Sequence, residues 1–348
     1  MVGARVVLRR VAALLGVVAM VLTSACSADE PQVDPTSRSH EVKVALLPGG
    51  VHPYFQPWRA GGAEAKSVFG IGDVTFDESS GWDQTTQNRT INNYTAQGYT
   101  AFGIFGVSSA DINATFSRMK ATGLVVASLG SCPADTVNKA DFCLATDVEV
   151  AAYKAARAAI DAIGGQGTLV HLTGNKVDTN TERRSAGVRH AVEETNGKVT
   201  LLATVTDLDK EQAVADKAVA DLLVKQGSKI NGIVTTGYIP ALAALNGVTA
   251  AKLPIKIIAI DDDKKILDGI RDGNVAATIA QNPVGQSYVG SWALTQLAVG
   301  ECKNKWRGQT IDSGSFVITK ANVETYDDER KAKTQALIDQ FRTSVLAC

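Results

Sequence analysis

From Glu41 onward the chain alternates short apolar, β-branched runs with longer segments whose apolar residues recur every three to four positions. The predicted strands are 42–47, 74–76, 101–105, 124–129, 168–172, 200–204, 232–235, 255–260 and 276–280. Between them lie helical patterns such as 84–97, 148–163, 181–195 and 210–226. Strands that are apolar throughout and separated by helices belong to parallel sheets covered on both faces. The predicted fold class is therefore α/β, doubly wound. Nine strands would crowd one such sheet, and the composition changes at the loop from Cys132 to Cys143, after the fourth. Two lobes of about 120 to 150 residues fit ordinary domain size better. In open α/β sheets ligands bind beyond the carboxyl ends of the strands, so two facing lobes create a cleft between those ends.

The chain begins with a different kind of segment. Arg5, Arg9 and Arg10 precede an apolar run from Val11 to Leu22, then Thr23, Ser24, Ala25 and Cys26, then a polar stretch to His40. A charged start, a short apolar core and small residues before a cleavage point describe a secretory signal peptide. With Cys26 after the small pair, the pattern resembles a bacterial lipobox, in which that Cys is acylated and becomes the new N-terminus. Thr23 stands where the usual Leu would be, with Leu22 one place earlier. The competing reading, an uncleaved anchor, has only about 12 apolar residues to cross a bilayer that needs roughly 20. The expected location is extracytoplasmic, with the chain lipid-anchored to the outer face of the bacterial cell membrane.

Removing residues 1–25 takes away three Arg and no acid, so the formal charge moves from −1 to −4. A mildly acidic chain lacks the basic face that nucleic acid or anionic lipid requires. Outside the cytoplasm the remaining Cys132, Cys143, Cys302 and Cys348 are free to form disulfides. Four thiols allow three pairings, which sequence alone leaves open. The favoured ones are Cys132 with Cys143, closing a local loop, and Cys302 with Cys348, pinning the C-terminal tail. No Cys has the close Cys or His neighbour that zinc requires, so neither a metal nor a cofactor is expected.

Enzyme signatures fail in context. There is no phosphate-binding Gly-x-x-x-x-Gly-Lys-Ser/Thr loop, no His-Glu-x-x-His and no Gly-x-Ser-x-Gly. Ser117-Arg118-Met119-Lys120 matches Ser-x-x-Lys but lacks its companion triplets and sits in an ordinary amphipathic helix. Gly164-Gly165-Gln166-Gly167 precedes a strand and reads as a helix stop. Polar and aromatic residues remain at the strand ends: His52-Pro53-Tyr54-Phe55 with Trp58, Trp82-Asp83, Asp261-Asp262-Asp263 and Gln281-Asn282. Aromatic faces that stack on C–H surfaces, beside carboxylates and amides that take paired hydroxyls, suit a neutral polyhydroxy ligand. Core packing competes for Tyr54 and Phe105, and Asp263 is most simply an N-cap. Asp261, directly at a strand end, is the exception.

Taken together, Val42-Lys43-Val44-Ala45-Leu46 leading to His52-Pro53-Tyr54-Phe55, Ala96-Gln97-Gly98-Tyr99, Arg184-Ser185-Ala186-Gly187-Val188, Ile258-Ala259-Ile260-Asp261 and Ala276-Ala277-Thr278-Ile279-Ala280-Gln281 resemble the type I periplasmic binding proteins. The likeness is to the ribose-binding-like group serving ABC sugar importers and runs from about Val42 to Val299. It implies two lobes closing like a jaw, with the chain crossing between them three times. The implied division is a signal peptide at 1–25, a tether at 26–40, an N-terminal lobe of 41–146 plus 283–311, a C-terminal lobe of 147–282 plus 312–326, and a tail at 327–348.

Carried over, Tyr54 and Phe55 stack on the sugar, His52 takes the polar role of the family's Asn, and Asp261 and Gln281 bind hydroxyls. Departures are Gly130-Ser131 for Asp-Arg, Phe105 and Gly237 for two Asn, and Leu208 for an aromatic. Ribose is thereby disfavoured. Trp82, Thr181, Glu182, Arg183 and Tyr238 are candidates, with Ser131 and Phe105, to line the vacated space. The expected function is a monomeric solute-binding lipoprotein delivering a monosaccharide, polyol or related polyhydroxy ligand to ABC permease subunits. A sensor module for a membrane receptor kinase and an extracytoplasmic enzyme are the alternatives. The sugar-responsive repressors of this fold are excluded by the lipobox and the absence of a basic DNA-binding head.

Overall fold

The computed structural model describes residues 38–108, 110–133, 139–176 and 179–348. The expected signal peptide, Cys26 and most of the expected tether lie outside the described residues. Within them the chain runs β1 (Lys43–Leu47), α1 (Gln56–Phe69), β2 (Asp73–Phe76), α2 (Gln84–Ala96), β3 (Ala101–Ile104), α3 (Ile112–Ala121), β4 (Val125–Leu129) and β5 (Phe142–Ala145). It continues through α4 (Val148–Ala162), β6 (Gly167–Leu172), α5 (Thr179–Glu193), β7 (Val199–Val205), α6 (Gln212–Gln226), β8 (Gly232–Thr235), α7 (Tyr238–Ala251), β9 (Lys256–Ile260), α8 (Lys264–Asp272) and β10 (Ala277–Gln281). The C-terminal part holds α9 (Pro283–Ala298), β11 (Lys303–Asn304), β12 (Ile311–Asp312), β13 (Ser315–Thr319), α10 (Tyr326–Gln340) and β14 (Leu346–Ala347).

Two six-stranded sheets result, ordered β12-β5-β4-β3-β1-β2 and β13-β10-β9-β8-β6-β7. All their pairings are parallel except that of β13 with β10. The two doubly wound lobes are those the alternation requires. The composition change at the Cys132 to Cys143 loop falls between β4 and β5, and the chain leaves the first sheet after β5. Four-residue β5, Phe-Cys-Leu-Ala, is too short to carry a period, yet every residue of it is buried beside β4. β13 was also unforeseen, and it runs antiparallel because it returns directly from the hinge.

The strand-to-helix turns are held by short polar caps, which is why polar residues cluster at the strand ends. Asp83 accepts from Thr86 N at 2.7 Å, Asp263 from Lys265 N at 2.8 Å and Asn282 from Gly285 N at 2.9 Å. Each such cap contributes about 1 kcal/mol. In the first lobe the apolar faces meet around Leu46, Trp58, Leu129 and Val289, and in the second around Val170, Ile233, Ala241 and Ile257. Both sets are essentially inaccessible to solvent.

Three crossings join the lobes, at 146–147, 282 and 313–314, and they are laced together. Ser313 N donates to Ala145 O at 2.9 Å, Asp147 N to Asp312 Oδ1 at 2.9 Å, and Asn282 Nδ2 to Ser313 O at 3.1 Å. α10 then spans both lobes. Arg330 pairs with Asp262 of the second lobe at 3.2 Å, whereas Leu337, Ile338 and Phe341 enter the core of the first. Cys132 is bonded to Cys143 and Cys302 to Cys348. The second bond fastens the short β11–β14 ribbon. It joins residues 46 apart, and a loop of that length restricts the unfolded chain by about 4 kcal/mol. Replacing Cys302 and Cys348 by Ser should therefore lower the unfolding free energy, read from the urea midpoint and slope, by an amount approaching that figure, with the fold retained. An unchanged midpoint would mean that the packing of α10 alone secures the tail.

Candidate binding cleft

The carboxyl ends of β1, β2 and β3 bring together one aromatic group. His52 follows β1, and its Nδ1 accepts from Tyr54 N at 3.1 Å, capping the tight turn 53–55. Phe55, 2% exposed, is the centre of the cluster, with ring centroids 5.2 Å from Tyr54, 5.1 Å from Trp58, 5.0 Å from Phe105 and 6.2 Å from Trp82. Phe105 is fixed by its backbone: its N–H donates to Leu47 O, and its carbonyl accepts from the buried Gln87 Nε2 at 2.8 Å. A side chain at Gly130 would meet Phe105 and Trp58 at 3.2 Å, so the rings occupy the room that a larger residue there would need. Ser131, half-buried, accepts through its carbonyl from Ser128 Oγ at 2.7 Å.

Tyr54 points toward the hinge. Its hydroxyl lies 3.0 Å from Gln286 Oε1 and 2.9 Å from Nε2, and Gln286 Nε2 also donates to Ser313 Oγ at 2.9 Å. Burial pushes this phenol up to about 12, and the charge of Asp261 adds to the effect. The shift ties a residue of the first lobe to the carboxylate of the second.

The second lobe presents polar groups. Asp261 ends β9 in a left-handed backbone conformation, φ 67°, which Asp tolerates better than most residues. Its N–H donates to Ile279 O at 2.9 Å, and its Oδ1 accepts from Gln281 Nε2 at 2.6 Å. Burial raises its carboxyl to about 6. Gln281 and the Arg184 guanidinium work against that rise, and Asp262 and Asp263 reinforce it. Tyr238 donates to Asp263 Oδ2 at 3.1 Å and places its ring 6.4 Å from His52, so the lobes meet there.

Helical phase decides which residues of α5 reach this group. Thr181, Arg184, Ser185 and Val188 lie one turn apart on the inward face, whereas Glu182 is exposed. Arg183 pairs with Asp147 at 2.9 Å and Glu149 at 3.9 Å, at the start of α4. Glu182 and Arg183 are thus set outside the cleft, and Arg184 enters it, its charge felt by His52, Tyr54, Asp261 and His171.

His171 is a residue the sequence reading passed over. It is fully buried near the end of β6, its Nε2 2.8 Å from Thr236 Oγ1, which in turn donates to Thr173 Oγ1 at 2.9 Å. Burial, then the Arg184 and Arg189 charges, lower its pKa to about 3. It is neutral, with Nε2–H donating and Nδ1 left as an acceptor. Among the described residues His171 Nδ1, Thr181 Oγ1 and Arg184 Nε have no hydrogen-bond partner. His52 is likewise kept neutral, chiefly by burial.

Residues 44–302 match the family described as periplasmic binding protein domain. The ribose import binding protein of Bacillus subtilis is 22% identical over 280 residues, 79% of this chain and 89% of that protein. Among solved structures, a sugar-binding protein of a sugar ABC transporter from Bacillus halodurans superposes with a TM-score of 0.74 at 19% identity, covering 82% of this chain and 99% of that one. A solute-binding protein from Actinobacillus succinogenes with bound D-allose gives 0.73 at 19% identity, with 82% and 100% covered. One from Burkholderia graminis with D-arabinose gives 0.72 at 20% identity, with 83% and 99% covered.

Because Asp261 holds its proton to about pH 6 when folded and to 3.8 ordinarily, the folded state binds more protons between those values. Its contribution to stability should be complete below about pH 4 and lost as the pH rises to about 6. Urea unfolding across that range should show this decline in the unliganded protein, and Asp261→Asn should flatten it. Identical slopes for both proteins would show that the carboxyl titrates normally.

Proposed function

Since the chain belongs to the periplasmic binding protein family, we propose that it is the extracytoplasmic solute-binding component of a sugar ABC importer. Its ligand would be a monosaccharide, polyol or related small polyhydroxy compound, and its role is capture and delivery to the permease, without catalysis. The observation that carries this reading is the Asp261–Gln281 pair with Arg184, set across a hinge from an aromatic wall. The carboxylate accepts paired hydroxyls, the guanidinium donates to ring or hydroxyl oxygens, and Phe55, Phe105 and His52 cover C–H faces. Relatives named for ribose import and solved with D-allose or D-arabinose support the ligand class. The departures at Phe105 and at Gly130-Ser131 argue for a ligand less densely hydroxylated than ribose on the side facing the first lobe.

A thermal-shift screen across pentoses, hexoses and polyols tests the class, because a ligand bound only by the folded state raises its melting point. For the best ligand, charge-assisted hydrogen bonds of about 1.5 to 3 kcal/mol each predict that Asp261→Ala weakens binding at least about tenfold. Calorimetric titration of the folded variant with unchanged affinity would remove Asp261 from the site. Failure of every polyhydroxy compound to bind would overturn the class.

The proposal includes a lipid tether at Cys26, supported by the charged start, the apolar run and the small residues before it. Cys26→Ser should move the protein from the membrane fraction to the soluble one. A variant that stays with the membrane would refute acylation at this position.

A further inference from the structure

The geometry points to a second subsite at the mouth of the cleft, built by Trp82, which takes a ring attached to the sugar; we propose that the ligand is a glycoside rather than a free monosaccharide. This rests on the sugar-binding reading and narrows its substrate class.

Four observations converge on Trp82. Its backbone is left-handed, φ 59°, a conformation that a bulky residue rarely adopts and that persists only where the surroundings enforce it. Its N–H donates to Gly49 O at 2.8 Å, locking the loop against the end of β1. The indole lies along the backbone of Gly49 and Gly50: a Cβ on Gly49 would come 2.8 Å from Cζ3, and one on Gly50 would come 2.7 Å from Cδ1 and Nε1. Contacts at both ends of the ring system mean that a bare glycine pair supports it, and any side chain there would displace it. Finally, the ring joins the cleft wall, 6.1 Å from Phe105 and 6.5 Å from His52, yet remains 48% exposed.

Exposure orders the wall by depth. Phe55 at 2% and Gln281 at 7% mark the closed end, and Trp82 at 48% beside Val51 at 70% marks the open end. A pyranose or furanose anchored by Asp261 and Gln281 occupies the closed end. A supported, immobilised indole beyond it offers a stacking face to whatever the sugar carries outward, and neutral His52 continues the apolar path between them. The inner half of the indole packs against the glycine pair and Phe105, and the half left in water is held preorganised for a planar or saccharide ring.

The test titrates the full chain with D-ribose, D-allose and D-arabinose and with the phenyl glycosides of the same sugars. For at least one pair the glycoside should bind about fivefold tighter or more, the range expected of an added aromatic contact. Trp82→Ala should weaken the glycoside more than the free sugar, so that the advantage is lost, and Trp82→Phe should retain most of it. Melting curves confirm that both variants are folded. If free sugars bind and their glycosides bind no better, or if Trp82→Ala weakens both alike, the subsite is refuted and the sugar-binding reading stands. If none of these sugars or glycosides binds, the subsite is refuted, and the sugar-binding reading is decided by the wider screen of pentoses, hexoses and polyols.

Discussion

Ser313 is the point on which the two lobes depend. Its N–H is bonded to Ala145 O, its carbonyl to Asn282 Nδ2 and its hydroxyl to Gln286 Nε2, so one residue ties all three crossings. Parallel sheets must send the chain from one lobe to the other with backbone polar groups that no ladder satisfies. Here they are satisfied by one another and by short side chains. Buried Asn282 and Gln286 belong to the same network, and through Gln286 it reaches the hydroxyl of Tyr54. The cleft and the hinge are therefore not separable parts: an aromatic at the end of β1 reports directly on how the crossings are arranged.

The electrostatics of the cleft follow from what surrounds Asp261. Three consecutive Asp at the end of β9 would repel one another if all were bare, but each has a different partner. Asp263 caps α8 and receives Tyr238, and Asp262 is met by Arg330 and by Tyr326 Oη at 3.3 Å, both from α10. Asp261 alone is left to the cleft, with Gln281 on one oxygen. The C-terminal helix thus bears on the site by pairing with the neighbouring carboxylate, whose charge still raises the Asp261 carboxyl, and the Cys302–Cys348 bond holds the end of the chain that carries it.

The sheets were legible because a buried parallel strand must be apolar along its whole length, and runs such as 255–260 announce themselves. β5 and β13 were less so: four buried residues, or an alternating pattern next to a hinge, carry little periodic signal. At the site, Asp261 and Gln281 could be read from their place at strand ends. Glu182 and Arg183 could not be separated from Arg184 without the phase of α5, which depends on where the helix starts. His171 was passed over because a single His in an apolar strand looks like core; only the Thr236–Thr173 relay and the proximity of Arg184 mark it. Nothing local in Gly49-Gly50 announces that an indole from the β2–α2 turn will lie across it.

What emerges is a cleft with unlike walls. The first lobe contributes rings, Phe55, Phe105 and Trp82, with neutral His52; of these His52 and Phe105 stand where the family pattern has amides, and Gly130-Ser131 stands where it has a charged pair. Each substitution on that side removes a directed donor or acceptor, and Gly130 shows how they are linked, since Phe105 and Trp58 fill the space its side chain would need. The second lobe keeps the charges, Asp261 and Arg184, and adds polar atoms of His171 and Thr181 that have no hydrogen-bond partner among the described residues. On the proposed reading, binding energy on the two sides would be of different kinds: burial of C–H surface against the rings, and a few charge-assisted hydrogen bonds. A ligand hydroxylated all round would leave hydroxyls facing rings without partners, at a cost of about 1 to 3 kcal/mol each. Discrimination in such a cleft would rest on which face of the ligand lacks polar groups, as much as on which hydroxyls Asp261 could hold.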